Sequence, residues 1–237
     1  MIAEARFGIK TGANEFFHLE PVGKNMDEVI QIIRRFPKSP IHVKNSAGWE
    51  GRIEGEFLKP FIKSLSEVST VRVRLEDIES FLFLCSYSKE ELKQEDKAYA
   101  LQYIRWGEEA KYICQAKGCK YRGLEPTCKK HGARDIKIDA FPKHPSCAGR
   151  EKWWDLGKHQ IPPLIFSRRL GDRHLCPANG ITLVSDTLYE LYVHDSSLCV
   201  GLLSSTIGRL FLEPSGREMT GAFTVLELYI PDLIRSI

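Results

Sequence analysis

The chain has 237 residues, a mass of 27.1 kDa, a formal net charge of +3 and 43% hydrophobic residues. This composition is that of a globular protein with a real core, and it excludes an intrinsically disordered chain. The charge is only mildly basic, with a pI near 8.4, so it neither requires nor excludes a polyanionic partner.

The chain opens with a glycine-bracketed turn between Gly8 and Gly12, ahead of two phenylalanines predicted to begin a strand. The turn carries Lys10 and Thr11, and Asn14 follows it. Lysine can neutralise a phosphate, asparagine can pair with a base edge, and glycines let a backbone approach a ligand. These residues are therefore candidate DNA contacts, and the alternative is a plain glycine-flanked hairpin.

Further elements follow from hydrophobic spacing, caps and breakers. Helices are predicted at residues 25–36, at 56–63, from a capping box at 88–91 to 107, and from 196 to 211. Strands are predicted at residues 41–45, 70–75, 81–85, 164–166, 186–193 and 223–230. Together they predict an α+β fold with a mixed β-sheet and packed helices. We expect one recognition domain over residues 1–237, with an inserted Cys/His-rich lobe at 112–147.

The inserted lobe is rich in lysine and has almost nothing apolar to bury. Its spacing of thiols and imidazole suits a tetrahedral structural zinc, which would explain how the lobe folds. The predicted ligands are Cys114, Cys119, Cys128 and His131. His144 or Cys147 could replace one of them, and loosely ordered free thiols are the alternative.

Two adjacent indoles, Trp153 and Trp154, follow the lobe within a basic stretch. We expect one to pack inward and the other to lie along a nucleic-acid surface.

The next basic loop, at residues 167–174, carries Arg168, Arg169 and Arg173. A guanidinium group fits the two major-groove acceptors of guanine, so this loop is the best candidate for reading bases. Surface arginines paired with Asp172 are the competing interpretation. Arg217, in a predicted loop before the last strand, is a further candidate, and an ion pair with a neighbouring glutamate is its alternative.

Three segments carry a resemblance to a known family. They are Gly-Ile-Lys-Thr-Gly-Ala-Asn-Glu-Phe-Phe at 8–17, Trp-Trp-Asp-Leu-Gly at 153–157, and the stretch from Leu-Leu-Ser-Ser-Thr at 202–206 to Ser-Gly-Arg-Glu at 215–218. In this order they resemble the carboxy-terminal specificity region of TaqI-like adenine-specific (N6) DNA methyltransferases of restriction-modification systems. The likeness covers most of the chain. It implies sequence-specific recognition of double-stranded DNA, with Arg217 in a specificity loop.

Methyl transfer needs a flipped-base motif of the Asn-Pro-Pro-Tyr type and a turn that holds S-adenosylmethionine. The sequence contains neither, so no catalytic residue is predicted. The resemblance then implies that the cofactor and the chemistry belong to a catalytic methyltransferase domain or subunit that partners this chain.

Two other functions remain open. The run Asp135-Ile136-Lys137 matches the Asp-x-Lys pairing of metal-dependent nucleases, although no partner carboxylate is evident. A protein-docking module without DNA readout is the other alternative.

The compartment follows from targeting signals and cysteine usage. The sequence has no signal peptide and no apolar run long enough to span a bilayer, so we expect a cytoplasmic protein without a membrane partner. Seven cysteines, an odd number, favour thiols or metal ligands over disulfides.

Overall fold

A computed structural model describes residues 2–109, 111–114, 135–138, 140–170, 174–212, 217–219 and 225–227. Side chains are described for residues 4–109, 140–169, 174–210 and 212. The zinc ligands predicted at Cys119, Cys128 and His131, and the DNA contact predicted at Arg173, lie outside the described residues.

The strands, in chain order, are β1 (Ile2–Phe7), β2 (His18–Pro21), β3 (Pro40–Asn45), β4 (Glu50–Glu54), β5 (Leu58–Ile62), β6 (Ser80–Phe83), β7 (Lys111–Cys114), β8 (Asp135–Ile138), β9 (Leu164–Ser167), β10 (Arg169–Leu170), β11 (Leu183–Val184), β12 (Leu188–Val193), β13 (Arg217–Met219) and β14 (Val225–Glu227). The helices are α1 (Asn14–Phe17), α2 (Met26–Arg35), α3 (Lys89–Gln94), α4 (Ala98–Gly107), α5 (Pro145–Ala148), α6 (Ser196–Leu203) and α7 (Thr206–Leu212).

The chain divides into two compact units, each assembled from separate stretches of sequence. Unit 1 comprises Met1–Lys10, Phe61–Glu79 and His159–Ile237, and unit 2 comprises Thr11–Pro60 and Ser80–Lys158. The predicted target-recognition role of residues 1–237 stays a prediction.

Unit 1 is built on an antiparallel sheet with the strand order β1-β12-β9. Successive side chains of a strand point to opposite faces, so β9 supplies two cores. Leu164 and Phe166 join one core with Cys199 and Leu203 of α6, whereas Ile165 joins the other with Val184. Both faces of the sheet are therefore covered by apolar side chains.

Two smaller strand pairings complete unit 1. Strand β11 runs parallel to the end of β5, with Leu183 opposite Phe61 and Val184 opposite Ile62. The short strands β10, β14 and β13 form an antiparallel sheet in that order.

Unit 2 combines the antiparallel strand order β6-β2-β3-β4 with helices and a large aromatic core. Phe16 of α1 stacks on Tyr103 of α4, with ring centroids 4.4 Å apart, and also packs against Trp153. The buried Tyr103 hydroxyl donates to the Phe16 carbonyl and accepts from Asn45 Nδ2 at 3.0 Å. These bonds satisfy polar groups that burial would otherwise leave unpaired.

The α+β class with mixed strand pairing is confirmed, since β11 and β5 are parallel whereas pairs such as β12 with β9 and β3 with β4 are antiparallel. Helix starts with an explicit cap were predicted well. Asn25 caps α2 and Ser88 caps α3, each through a complete capping box. None of the helices in the described part of the chain is long and apolar enough to cross a membrane.

Some predicted elements are wrong where tertiary pairing or side-chain hydrogen bonding prevails over local spacing. The helix predicted at 56–63 is instead the end of a short 3-10 turn (Gly55–Phe57) followed by strand β5, because short apolar runs suit either structure and β5 pairs with β11. The strand predicted at 70–75 is irregular, since the carboxylate of Asp77 accepts from the backbone N–H groups of Arg74 and Ser69.

The amino-terminal and carboxy-terminal parts also differ from expectation. The two phenylalanines after the first turn belong to the short helix α1 and not to a strand. The helix predicted at 196–211 breaks into α6 and α7, where Ser205 Oγ accepts from Gly208 N at 3.0 Å. Arg217 lies in strand β13 and not in a loop.

Candidate nucleic-acid interface

Gly8 of the opening motif packs closely against the backbone of residues 184–188 within unit 1. Gly8 N donates to the Leu188 carbonyl at 3.0 Å, and Ile9 N donates to the Val184 carbonyl at 2.8 Å. A Cβ atom at Gly8 would lie 2.2 Å from the Ser185 carbonyl oxygen. Glycine is therefore required here by the protein's own backbone, and not by a ligand.

Gly12 is required for a second structural reason, within unit 2. Its φ of +78° favours glycine, and a Cβ atom there would lie 2.3 Å from the Ser146 Cβ atom. The neighbouring Thr11 is buried, and its hydroxyl donates to Asn14 Oδ1. Thr11 was predicted to lie on the surface, and this prediction is wrong. Its side chain is buried, and its hydroxyl group makes a hydrogen bond within the loop instead of facing a ligand.

Arg150 holds this loop in place. Its Nη2 atom donates to the Thr11 carbonyl at 2.8 Å, its Nη1 atom donates to the Trp153 carbonyl at 3.3 Å, and its guanidinium lies 5.8 Å from the Phe17 ring centroid. One guanidinium group, 139 positions from Thr11 in the chain, thereby joins the motif at 8–17 to the motif at 153–157.

Both predicted indoles are buried in unit 2, with exposures of 7% for Trp153 and 6% for Trp154. Trp153 Nε1 donates to Glu108 Oε1, and Trp154 Nε1 donates to the Tyr87 carbonyl, each at 3.2 Å. This corrects the expectation that one indole lies on the surface. Each buried indole N–H group therefore has a hydrogen-bond acceptor within the protein, and both tryptophans are core residues.

Lys10 and Asn14 are exposed, as a contact with a ligand requires. Lys10 ends the first segment of unit 1, whereas Asn14 begins α1 in unit 2.

Arg168 is half-buried and engaged within unit 1. Its guanidinium carbon lies 4.8 Å from the Phe7 ring centroid, and its Nη1 atom donates to the Asp186 carbonyl at 3.1 Å. A guanidinium group stacked on an aromatic ring and bonded to a carbonyl is oriented before any ligand arrives. Arg168 therefore carries a fixed charge and stabilises the fold.

Arg169, the next residue, is exposed and begins β10. In the sheet β10-β14-β13, Arg169 pairs in register with Glu227, and Arg217 pairs with Glu227 from the other side. Two of the predicted base-reading arginines, 48 positions apart in the chain, thus occupy one level of a single small sheet. This pairing was not predicted, because it depends on strand order and not on spacing along the chain.

A cavity of about 330 Å³ opens beside these arginines in unit 1. Arg168, Arg169 and the hydroxyl residues Ser64 and Thr187 form part of its wall, with the buried Leu65 and Leu188 as apolar lining. The predicted loop and the Ser64–Leu65 segment, which lies more than 100 positions earlier in the chain, meet here. Ser64 and Thr187 were missed, because isolated hydroxyl residues carry no motif.

Cys85, Cys147, Cys176 and Cys199 are free thiols, which agrees with the expectation of thiols or metal ligands and not disulfides. Burial raises the pKa of Cys85 to about 12 and raises the pKa of Cys147 and Cys176 above the ordinary value. These three thiols stay protonated at neutral pH, so none is an activated nucleophile.

The described part of the chain contains no cluster of metal-binding side chains. Among its side chains, no three His, Cys, Asp or Glu residues cluster to hold a metal ion. Cys114 belongs to β7, and Asp135, from the nuclease alternative, lies opposite it in β8. The remaining predicted zinc ligands lie outside the described residues, so the zinc site stays a prediction.

Comparison with protein-family models and with curated proteins finds no match for this chain.

Proposed function

We propose that this chain recognises a specific sequence in double-stranded DNA for an adenine-N6 methyltransferase of a restriction-modification system. The chain's partner would be a catalytic methyltransferase domain that supplies S-adenosylmethionine and the transfer chemistry. The resemblance of three ordered motifs to TaqI-like specificity regions motivates the proposal.

The observation that carries the proposal is the common level of Arg169 and Arg217 beside Glu227. Neighbouring strands lie about 4.8 Å apart, so the two arginine Cα atoms are separated by about 10 Å across β14. Base pairs stack about 3.4 Å apart, so this separation spans about three base pairs. Two arginines whose Cα atoms have that spacing suit guanines a few positions apart in one major groove.

The fixed charge of Arg168 supports the same proposal. Phosphate contacts set the register of a protein on DNA, whereas base contacts carry the sequence information. An oriented half-buried guanidinium suits the first role, and the exposed Arg169 suits the second.

The test is a selection of duplexes bound by the purified chain from a random pool, followed by affinity measurements across salt concentrations. We expect an enriched site and an affinity that falls steeply with salt, with a slope of about −0.9 per neutralised phosphate. Binding that is flat from low to physiological salt would remove the DNA function.

A second candidate function, protein docking, is favoured by an exposed apolar surface on α6 and α7. Leu198, Ile207 and Leu210 are each more than 60% exposed. Exposed patches of this kind mark interaction sites more often than chance. Capture of a methyltransferase subunit by a chain without DNA affinity would favour docking alone.

A further inference from the structure

The cavity beside Arg168 and Arg169 has polar groups in fixed positions. Thr187 Oγ1 donates to the Lys63 carbonyl at 2.5 Å, and Ser167 Oγ donates to the Arg169 carbonyl at 2.7 Å. These bonds tie the two hydroxyl groups to the backbone. The wall is therefore built before a ligand enters.

Ser64 differs from those two residues because its hydroxyl group accepts hydrogen bonds from within its own turn. Its Oγ atom accepts from Ser66 N at 3.3 Å and from Ser66 Oγ at 2.9 Å. A hydroxyl group that accepts in this way has its own proton left to donate. Ser64 is exposed, so this donor can meet a ligand in the cavity.

The charge at the cavity is positive. Two arginines contribute to the wall, and no carboxylate is found among the described residues that line it. The nearby Glu67 is not among the lining residues, and its Oε1 atom accepts from Lys63 N and Ser64 N at 3.1 and 2.9 Å. Hydrogen-bond donors and positive charge, with no carboxylate among the described lining residues, favour the binding of an anion.

The size and the apolar lining indicate more than a bare anion. At about 330 Å³ the cavity lies near the lower end of the roughly 300–1,000 Å³ range of ligand pockets. The lining includes Leu65 and the edge of the nearly buried Leu188, apolar groups that an isolated phosphate would not use.

We propose that this cavity binds one sugar–phosphate unit of the DNA backbone, beside the bases read by Arg169. The phosphate accepts from the Ser64 hydroxyl and the Arg168 guanidinium, and the deoxyribose packs beside Leu65 at the apolar edge of the cavity. This inference rests on the proposed function and adds the subsite that sets the register of the chain on DNA.

The test compares Ser64→Asp with Ser66→Asp. Aspartate keeps the capping role of Ser64 but places a negative charge at the cavity, whereas Ser66 belongs to the same turn and does not line the cavity. On the selected duplex, we expect Ser64→Asp to weaken binding about tenfold and to lower the salt slope by about 0.9, the value of one phosphate. Ser66→Asp should change affinity less than threefold, and thermal unfolding of both variants checks that they fold.

A second measurement uses the wild-type chain with duplexes that carry one uncharged methylphosphonate linkage at successive positions. One linkage should weaken binding clearly, and Ser64→Asp should remove the effect of that linkage, because the two changes delete the same contact. The cavity inference would be overturned if both aspartate variants lost the same DNA affinity, or if no single methylphosphonate linkage weakened binding more than the others. Either result would leave DNA recognition intact. Absence of salt-dependent DNA binding by the wild type would overturn both.

Discussion

Arg169 and Arg217 lie on either side of Glu227 at one level of the sheet β10-β14-β13. Their separation of 48 positions in the chain becomes two strand spacings in space. Because strand register fixes both residues relative to the same backbone, a shift of one would shift the other. Under the proposed function, this fixed spacing would set the interval between the two bases that the pair reads.

Replacing Arg169 or Arg217 by alanine should relax the preference at one base position each. The expected loss is about 1–3 kcal/mol for the preferred base, because a bidentate contact discriminates by that amount. Competition between the selected duplex and single-base variants measures it. Arg34→Ala, which removes an exposed arginine from α2 in unit 2, is the control and should leave the preference unchanged. A uniform loss over all sequences would make Arg169 or Arg217 a phosphate contact.

Arg168→Ala should lower the free energy of unfolding by about 1–2 kcal/mol, since it removes the contact with Phe7 and the hydrogen bond to Asp186. Arg169→Ala, one residue on, should stay within about 0.5 kcal/mol of the wild type because its side chain is exposed. Denaturant unfolding of the two variants gives the comparison. Equal stability losses would contradict the structural role assigned to Arg168.

Gly12→Ala should destabilise the chain more than Gly23→Ala does. Both glycines have positive φ, near +78° and +75°, so each alanine adds backbone strain of roughly 1–3 kcal/mol. Only at Gly12 would the new Cβ atom meet Ser146, whereas nothing lies within 4 Å at Gly23. Denaturant midpoints measure the difference, and Ser146→Gly in the Gly12→Ala background should recover the steric part. Equal effects of the two alanines would remove the close contact as the cause.

Glu190 should make stability depend on pH in a defined direction. Burial raises the pKa of Glu190 above its ordinary 4.5, and the hydrogen bond from the Tyr192 hydroxyl and the charge of Arg6 oppose this only in part. The folded chain thus holds the Glu190 proton more tightly than the unfolded chain. Its contribution is complete below pH 4.5 and is lost as pH rises through the raised pKa.

We therefore expect Glu190→Gln to gain stability relative to the wild type as pH rises from 4 to 7. Chemical denaturation across this range measures the difference. Glu91→Gln is a control of opposite sign, because the Ser88 N–H group lowers the pKa of Glu91 and the wild-type contribution is lost as pH falls. A constant difference between Glu190→Gln and wild type would contradict the assignment.

Zinc is tested by elemental analysis of the chain purified under reducing conditions. A structural site should hold about one zinc per chain, and Cys119→Ser should lower the content, since a tetrahedral site needs all four ligands. Cys199→Ser, a buried thiol of unit 1 outside the predicted ligand set, is the control. Near-zero metal in the wild type would end the zinc prediction.

Sequence reasoning succeeded where the determinants are local. The capping boxes at Asn25 and Ser88 set helix starts through bonds that span three residues, so they are visible in the sequence. Strand β5 was mistaken for a helix because its pairing with β11 joins residues more than 120 positions apart. The glycines of the opening motif were interpreted as sites of ligand approach, yet their neighbours are Ser185 and Ser146 of the chain itself.

At the candidate site, too, the residue types could be predicted from the sequence, but their arrangement in space could not. Arginines suited to DNA were apparent from residue type alone. Their common level depends on the order of three short strands, and the cavity depends on Ser64 reaching the loop after β9. Neither arrangement follows from spacing along the chain.

Arg150 couples the first and the middle motifs through the Thr11 and Trp153 carbonyls. In divergent relatives, we therefore expect the two segments to covary. A relative that has another residue in place of Arg150 should also have a different sequence in the opening loop. The joint presence of the two segments in a newly sequenced protein would then mark a shared scaffold.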